Sequence, residues 1–406
     1  MQRMPVSQRG KETYKKIIQK SIELFSEKGY QEVSAAMISK SCGIGNASFY
    51  QYFSSKEEVL YEIVRELTES IKENVKKSMD SKVETLEERL KIFIESLTDL
   101  IVKDINAYTS FRNAEFLFPE ISEGLYEEIY SILSSEFLKN KDENTRKVFY
   151  IFVMGIINFV VNEYTFCENK RIDQKVIDSI VDLILYGLDP DTHNINKEAF
   201  LFLPRSEDKK IEFHSQWSLT HRKILKASED LFGNKGYSNS KISEIAALAD
   251  VGLGTFYVHF DSKIEALREL VASTLEDLKA NLRRYVWRFT DRRDAEIAGY
   301  AGFIDFFRDH REMYSIVREM EFVDSKTEIF YYSEISRSYI KPLERAFKNH
   351  EYREFDPALL SYMLMGIGHQ LGLELLIGRE FDEDKCIDYL RILSVFLMHG
   401  LKGMEG

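Results

Sequence analysis

The sequence predicts an all-α protein in which one architecture is written twice. Three observations carry this. Apolar residues recur at helical spacing through the first sixty residues, broken by glycines placed to end helices. The stretch from Thr13 to Leu60 reappears as Thr220 to Leu267, with 18 of 48 positions identical. Beyond these stretches the echo continues more weakly: "SFRNAEF" against "IVREMEF", "VMGIINFVV" against "LMGIGHQLG", and "DLILYGL" against "VFLMHGL". Self-similarity at so long a period marks duplicated domains rather than a solenoid.

Each copy is expected to open with the same local elements. In "YKKIIQKSIELFSEKGY" the residues Ile17, Ile18, Ser21, Leu24 and Phe25 form one apolar stripe, and Gly29 is placed to end the helix with a positive φ. "SAAMISKSCGIG" reads as a second short helix with Ser34 as N-cap and Gly43 and Gly45 in the turn. "NASFYQYF" reads as a third, with Phe49 and Phe53 one turn apart and pointing inward. Ser54 and Glu57 have capping-box spacing at the start of a fourth, longer helix. Two short helices around a glycine turn, braced by a third, make a helix-turn-helix.

The third helix carries the chemistry. Gly45, Asn46 and Ala47 are small enough to let its start press into a major groove. Ser48, Tyr50 and Tyr52 offer hydroxyls to phosphates, Lys56 offers an ammonium, and Asn46 and Gln51 carry amides suited to base edges. In the second copy the corresponding groups are Leu253, Gly254, Thr255, Tyr257, Val258, His259 and Lys263, with Lys241 just before them. A glycine turn followed by aromatic residues is compatible with plain core packing; its repetition in the same order favours nucleic-acid binding.

The net charge of −12 is unevenly spread. Residues 1–56 hold nine Lys/Arg against four Asp/Glu, whereas residues 205–263 hold nine against eight. The basic excess lies beside the first motif, and the remainder is strongly acidic. Cys42, Cys167 and Cys386 are odd in number and far apart, which predicts a reducing compartment, no disulfide framework and no metal site. The polar opening "MQRMPVSQRGKETYKK" is not a signal peptide. The apolar run Val148–Val161 is shorter than the roughly 20 residues a membrane helix needs, so a core or contact helix is expected, with no membrane partner and a cytoplasmic location. No Gly-rich phosphate loop, nucleophile elbow or metal-ligand cluster points to an enzyme, and no cofactor is implied.

Both motifs, "LFSEKGY…ISKSCGIGNASFYQYFSSKEEVL" and "LFGNKGYSNSKISEIAALADVGLGTFYVHFDSKIEAL", resemble the DNA-binding module of the tetracycline-repressor (TetR/AcrR) family of bacterial transcription regulators. The resemblance is strong over about fifty residues of each half. It implies a double-stranded DNA operator as partner, a helical regulatory domain after each module, and a four-helix bundle made by the last two long helices of paired units. Family members usually carry one unit and act as homodimers; two units in one chain depart from that. The expected domains are a first helix-turn-helix (1–60), a first regulatory domain (61–189), a linker (190–216), a second helix-turn-helix (217–267) and a second regulatory domain (268–406).

Val148–Val161 with Ile177–Leu188, and Leu360–Leu376 with Ile387–Leu401, are the candidate bundle helices. Either the halves pair with each other as an intrachain pseudo-dimer, or each pairs with its counterpart in a homodimer. Linkage favours the first by raising the effective concentration. The unlike third helices predict unlike half-sites, although the second module, with its small charge excess and Leu253, is also compatible with a structural role. A scaffold with one or both modules inactive is the alternative function. The resemblance also implies repression and a small, fairly apolar effector whose binding spreads the modules and releases DNA. Candidate effector residues are Tyr108, Phe111, Arg112, Glu115 and Asn158 in the first half, and Tyr314, Arg318, Glu321 and His369 in the second. The aromatic groups are equally readable as core and the charged pairs as i, i+3 ion pairs.

Overall fold

In the computed structural model, residues 7–79, 85–204, 218–378 and 380–404 are described, and among them helices are joined by turns with no strand. They pack into two compact units, residues 1–139 and 140–406.

The first unit begins with α1 (Gln8–Lys28), α2 (Ala35–Cys42) and α3 (Asn46–Phe49), followed by α4 (Lys56–Met79), α5 (Leu86–Lys103), α6 (Ile105–Leu117) and α7 (Glu123–Phe137). Helix α1 buries Ile17, Ile18, Ser21, Ile22 and Phe25; Ile22 replaces the expected Leu24, because the stripe drifts with the 3.6-residue period. Gly29 ends the helix at φ 77°. The predicted capping box is displaced by one residue: Ser55 Oγ accepts from the Glu58 amide (3.3 Å), while Glu58 accepts from the Ser54 amide and hydroxyl. Glu57, released from that role, accepts a 2.8 Å hydrogen bond from the Tyr30 hydroxyl.

The second unit opens with α8 (Glu143–Phe159), which runs through a π-turn (Val160–Tyr164) into the short α9 (Thr165–Cys167), and then α10 (Gln174–Tyr186). After a 3-10 turn at Lys197–Phe200 come α11 (Leu219–Lys235), α12 (Ile242–Leu248), α13 (Leu253–His259) and α14 (Lys263–Val286). The chain ends with α15 (Arg292–Asp309), α16 (Arg311–Val323), α17 (Ser325–Lys348), α18 (Pro357–Leu376) and α19 (Glu383–His399).

At the centre of this unit α8 crosses α18, and α10 and α19 pack alongside. From Val148 to Ile157 every residue of α8 is buried, which is why the run reads as apolar all round. The segment Glu143–Tyr164 has the length and composition to cross a membrane, yet 89% of its apolar window is covered by protein. The contacts are reciprocal. Gly155 lies against the Gly366 backbone and Gly366 against Gly155; Gly187 (φ 67°) abuts the chain at Met398, and Gly400 (φ 63°) abuts it at Leu185. Leu188 and Asp189 donate their amides to Leu397 and Met398 carbonyls at 2.8 and 2.9 Å.

Residues 190–204 are bound to the second half rather than forming a free connector. His193 Nε2 and the Asn196 amide meet Asp294 at 3.0 and 2.8 Å, Ala199 and Phe200 are buried, and the Leu203 amide donates to the Tyr285 hydroxyl at 2.9 Å. Residues 205–216 of the expected linker lie outside the described residues. The three cysteines are free thiols.

Candidate nucleic-acid interface

Helices α1–α3 and α11–α13 build the same module in the two units. Ser34 caps α2 by accepting from the Met37 amide at 3.3 Å, and Gly43 (φ 68°) closes the turn. In the second module Glu244 accepts from the Lys241 amide at 3.0 Å, and the turn position matching Gly43 is Asp250, also left-handed at φ 57°. Phe49 and Phe53 are buried with ring centres 6.1 Å apart, and Phe256 and Phe260 repeat this at 5.6 Å. Two aromatic pins one turn apart thus fix which face of each third helix is left outside.

That face carries the predicted residues. In the first module Gly45, Asn46, Ala47, Tyr50 and Gln51 are exposed and Ser48 and Tyr52 half-buried. In the second, Leu253, Gly254, Tyr257 and Val258 are exposed and Thr255 and His259 half-buried. A Cβ placed on Gly45 or Gly254 would meet nothing within 4 Å, so another molecule can approach the backbone there. Regular α3 is shorter than expected, ending at Phe49; the next residues continue as tight turns, with the Tyr52 amide on the Phe49 carbonyl at 2.9 Å. Its second-copy counterpart runs the full seven residues.

Lys56 and Lys263 require correction. Lys56 Nζ donates to the carbonyls of Tyr30 (2.9 Å), Val33 (2.9 Å) and Gln31 (3.3 Å), and lies 4.3 Å from the centre of the Tyr30 ring. Lys263 repeats the arrangement with the Tyr237 and Ser240 carbonyls (2.7 and 2.8 Å) and the Tyr237 ring (4.1 Å). Burial lowers both ammonium groups from their ordinary value. They staple the loop after the first helix to the fourth helix through donors aimed at its backbone carbonyls. The motif spacing contained this signal, since Tyr30 and Lys56 recur together as Tyr237 and Lys263.

Each module also rests on a helix that follows it in the chain, α1 on α6 and α11 on α16. In the first unit the Ser26 hydroxyl donates to Asn106 Oδ1 at 2.9 Å. In the second, Glu319 accepts twice from the Tyr237 amide (2.7 and 2.9 Å). Glu319 was not among the predicted residues; nothing in the local sequence separates it from any other helical carboxylate.

The predicted effector residues divide. Tyr108 and Phe111 stack in the interior of the first unit, and Arg112 and Glu115 pair at 3.7 Å. In the second unit, Tyr314 and His369 line an aromatic cavity enclosing about 590 Å³ between atoms, solvent-open space included. Phe159 lines it too, whereas the adjacent Asn158 does not. Arg318 and Glu321 are also outside its lining; Glu321 stands with Glu163 and Glu328, one oxygen of each within 4.8 Å of the others. Tyr300, Phe303, Phe307, Tyr331, Tyr332 and Tyr339 complete the aromatic wall, and no Lys, Arg, Asp or Glu lines it. The hydroxyls of Tyr300 and Tyr314 donate to the carbonyls of Leu364 (3.1 Å) and His369 (2.9 Å), which leaves mainly ring surface facing inward.

Paired helix-turn-helix modules with open third helices define a DNA-binding regulator. Residues 17–63 and 224–270 each match the family model described as bacterial regulatory proteins, tetR family. The chain carries two tetR-family DNA-binding modules in tandem. The HTH-type transcriptional regulator YvdT of Bacillus subtilis is 26% identical over 213 residues, 50% of this chain and 98% of that protein. IcaR of Staphylococcus aureus, a negative regulator of a biofilm operon, is 27% identical over 133 residues, 33% of this chain and 72% of its own length. The solved structure of the fatty acid degradation regulator FadR from Bacillus halodurans is 19% identical, covers 42% of this chain and 93% of that one, and superposes with a TM-score of 0.35.

Proposed function

We propose that the protein is a ligand-responsive transcriptional repressor acting in the cytoplasm, one chain taking the place of a homodimer on an operator with two unlike half-sites. The observation that carries the reading is the reciprocal packing of equivalent glycines across α8 and α18: one polypeptide makes with itself the contact that two identical subunits would make about a two-fold axis. The exposed faces of α3 and α13 then present Asn46 and Gln51 on one side and Leu253 and Val258 on the other, and unlike groups prefer unlike base edges. Tyr50, Tyr52, Ser48, Thr255 and Tyr257 supply hydroxyls for phosphates, with Lys241 an exposed cation beside the second reading helix. IcaR, a negative regulator, supports repression.

The cavity at Tyr314 and His369 is the proposed effector site. Its walls offer ring faces without a lining carboxylate or guanidinium, and at least two hydroxyls are committed to backbone carbonyls, so it suits an apolar group and offers little to an anion. Binding there shifts the balance between DNA-competent and released arrangements, provided the effector favours one of them.

Three measurements test this. Selection from random duplexes should return an asymmetric site bound in a salt-dependent way; a perfect palindrome read by equal contacts contradicts unlike half-sites. Light scattering at micromolar concentration should give one 47.5 kDa chain, and twice that mass would replace the pseudo-dimer by a homodimer. Decanol should raise the melting temperature more than decanoate at equal concentration; the reverse order would contradict an anion-averse cavity.

A further inference from the structure

In the second module Leu219, Leu248, Leu253, Tyr257 and Val258 stay exposed, and the last three share the outer face of α13, with Val258 the barest of all. Val258 is 80% exposed and Leu253 is 49% exposed, on a helix whose inner face is already secured by Phe256. The first module has Gln51 and Asn46 at these positions, so the apolar character is no requirement of the shared fold. One turn before Val258 lies Gly254, where an added Cβ would meet nothing within 4 Å. Val258 is therefore an isopropyl group on a bare stretch of helix, with room beside it for a flat molecule edge to reach the backbone.

Water is a poor neighbour for such a group, and the DNA major groove holds one apolar feature: the 5-methyl group of thymine. Resting on the reading of α13 as a DNA-reading helix, we propose that Val258 selects thymine in the second half-site by packing on its 5-methyl group over Gly254. The second half-site is then read by apolar contact, and the first by the amides of Asn46 and Gln51. The smaller charge excess around the second module fits this division, because an apolar contact adds specificity without releasing counterions. The occupant follows from the continuity of Val258 with Thr255 and Tyr257 on a helix inside the matched segment 224–270. A protein partner seated on this face is the competing occupant.

The test uses the full chain and its selected operator. Each thymine of the second half-site is replaced in turn by deoxyuridine, which removes only the methyl group. At one position affinity should fall about fourfold, the amount expected for exposing one methyl-sized group. The same replacements in the first half-site serve as the internal comparison. In Val258→Ala the deoxyuridine effect should shrink to less than twofold, while the thymine operator is bound more weakly than by the original protein. Val258 makes no buried contact, so this variant should fold normally, which thermal melting checks.

If deoxyuridine is silent throughout the second half-site, or if its effect persists undiminished in Val258→Ala, the assignment to Val258 is overturned while the DNA-binding reading stands. If Val258→Ala changes neither affinity nor base preference, α13 does not read bases through this side chain, and the assignment fails. Failure of the regulator reading itself would be seen separately, as no salt-dependent binding of any duplex by the original chain.

Discussion

Gly155 and Gly366 stand face to face where α8 crosses α18: a methyl group added to Gly155 would lie 2.6 Å from the Gly366 carbonyl oxygen, and one on Gly366 would collide with the carbonyl of Gly155. They are equivalent positions of the duplicated sequence, so a glycine inherited twice now meets its own copy. Here the need for glycine is close backbone approach rather than an unusual dihedral angle.

Gly155→Ala or Gly366→Ala should therefore push the two helices apart. Overpacking of this kind costs roughly 1–3 kcal/mol. A melt of the full chain should show a fall of several degrees for either variant. If the pairing holds the halves together, Gly155→Ala should also weaken DNA binding, although it lies in neither module. Unchanged stability would show that the helices can separate slightly without loss, and the crossing would then not be the fixed point of the fold.

The lysine staples give a prediction opposite to the one their charge suggests. A lysine that neutralises a phosphate contributes about one unit to the salt dependence of binding. Lys56 and Lys263 spend their protons on backbone carbonyls, so Lys56→Ala and Lys263→Ala should leave the slope unchanged. Each should instead destabilise its module, by about 1–3 kcal/mol, because the carbonyls are left without their charged donor. Titration of binding against salt, together with a thermal melt, separates the outcomes. A slope reduced by one unit with no change in melting would restore the phosphate role.

Much of this fold was legible because it rests on local rules stated twice. Gly29 and Gly236 end their helices at φ 77° and 80°, Ser34 caps as its position suggests, and the buried phenylalanines fall one turn apart. The errors concern long side chains and tertiary choice. A lysine at a helix start reads as an anion ligand until a loop 23 to 26 residues away is seen to supply carbonyls. Likewise, Tyr108 and Tyr314 are both aromatic residues on helices that follow a module; only packing sends one into an interior and the other to a cavity wall. The docking of residues 190–204 depended on Asp294, a partner some 100 residues distant that no spacing rule identifies.

The turn before the second reading helix is less relaxed than the first. Gly43 takes the left-handed conformation freely, but Asp250 takes it at φ 57° with a Cβ. That conformation costs a non-glycine residue roughly 1 kcal/mol, somewhat less for Asp than for most. Asp250→Gly should recover part of this and raise protection from hydrogen exchange across α12 and α13. Gly43→Ala should do the reverse in the first module. Loss of stability in Asp250→Gly would mean that the aspartate side chain contributes a compensating interaction.

Glu319 is the group through which the cavity can reach the second module. It lies on α16, the helix that carries Tyr314 and Val317 into the cavity wall, and its carboxylate holds the Tyr237 amide with both oxygens. Gly233 of α11 also sits closely against Glu312, at the other end of the same helix. A small rotation of α16 on effector binding must therefore move the loop at Tyr237, which Lys263 staples to α14. The corresponding position in the first half is Asn113, whose side chain bonds back to the Thr109 carbonyl at 3.2 Å, a neutral amide in place of the carboxylate. Glu319→Ala should leave effector binding at the cavity within about twofold, because the residue is not part of its lining. Release of DNA by a bound effector should weaken, because the carboxylate no longer couples helix to loop. Effector affinity measured with and without operator DNA reads this coupling from both sides, since linkage requires the two shifts to agree. If the variant releases DNA as the original does, the signal travels through the apolar contact of α16 with α11 alone.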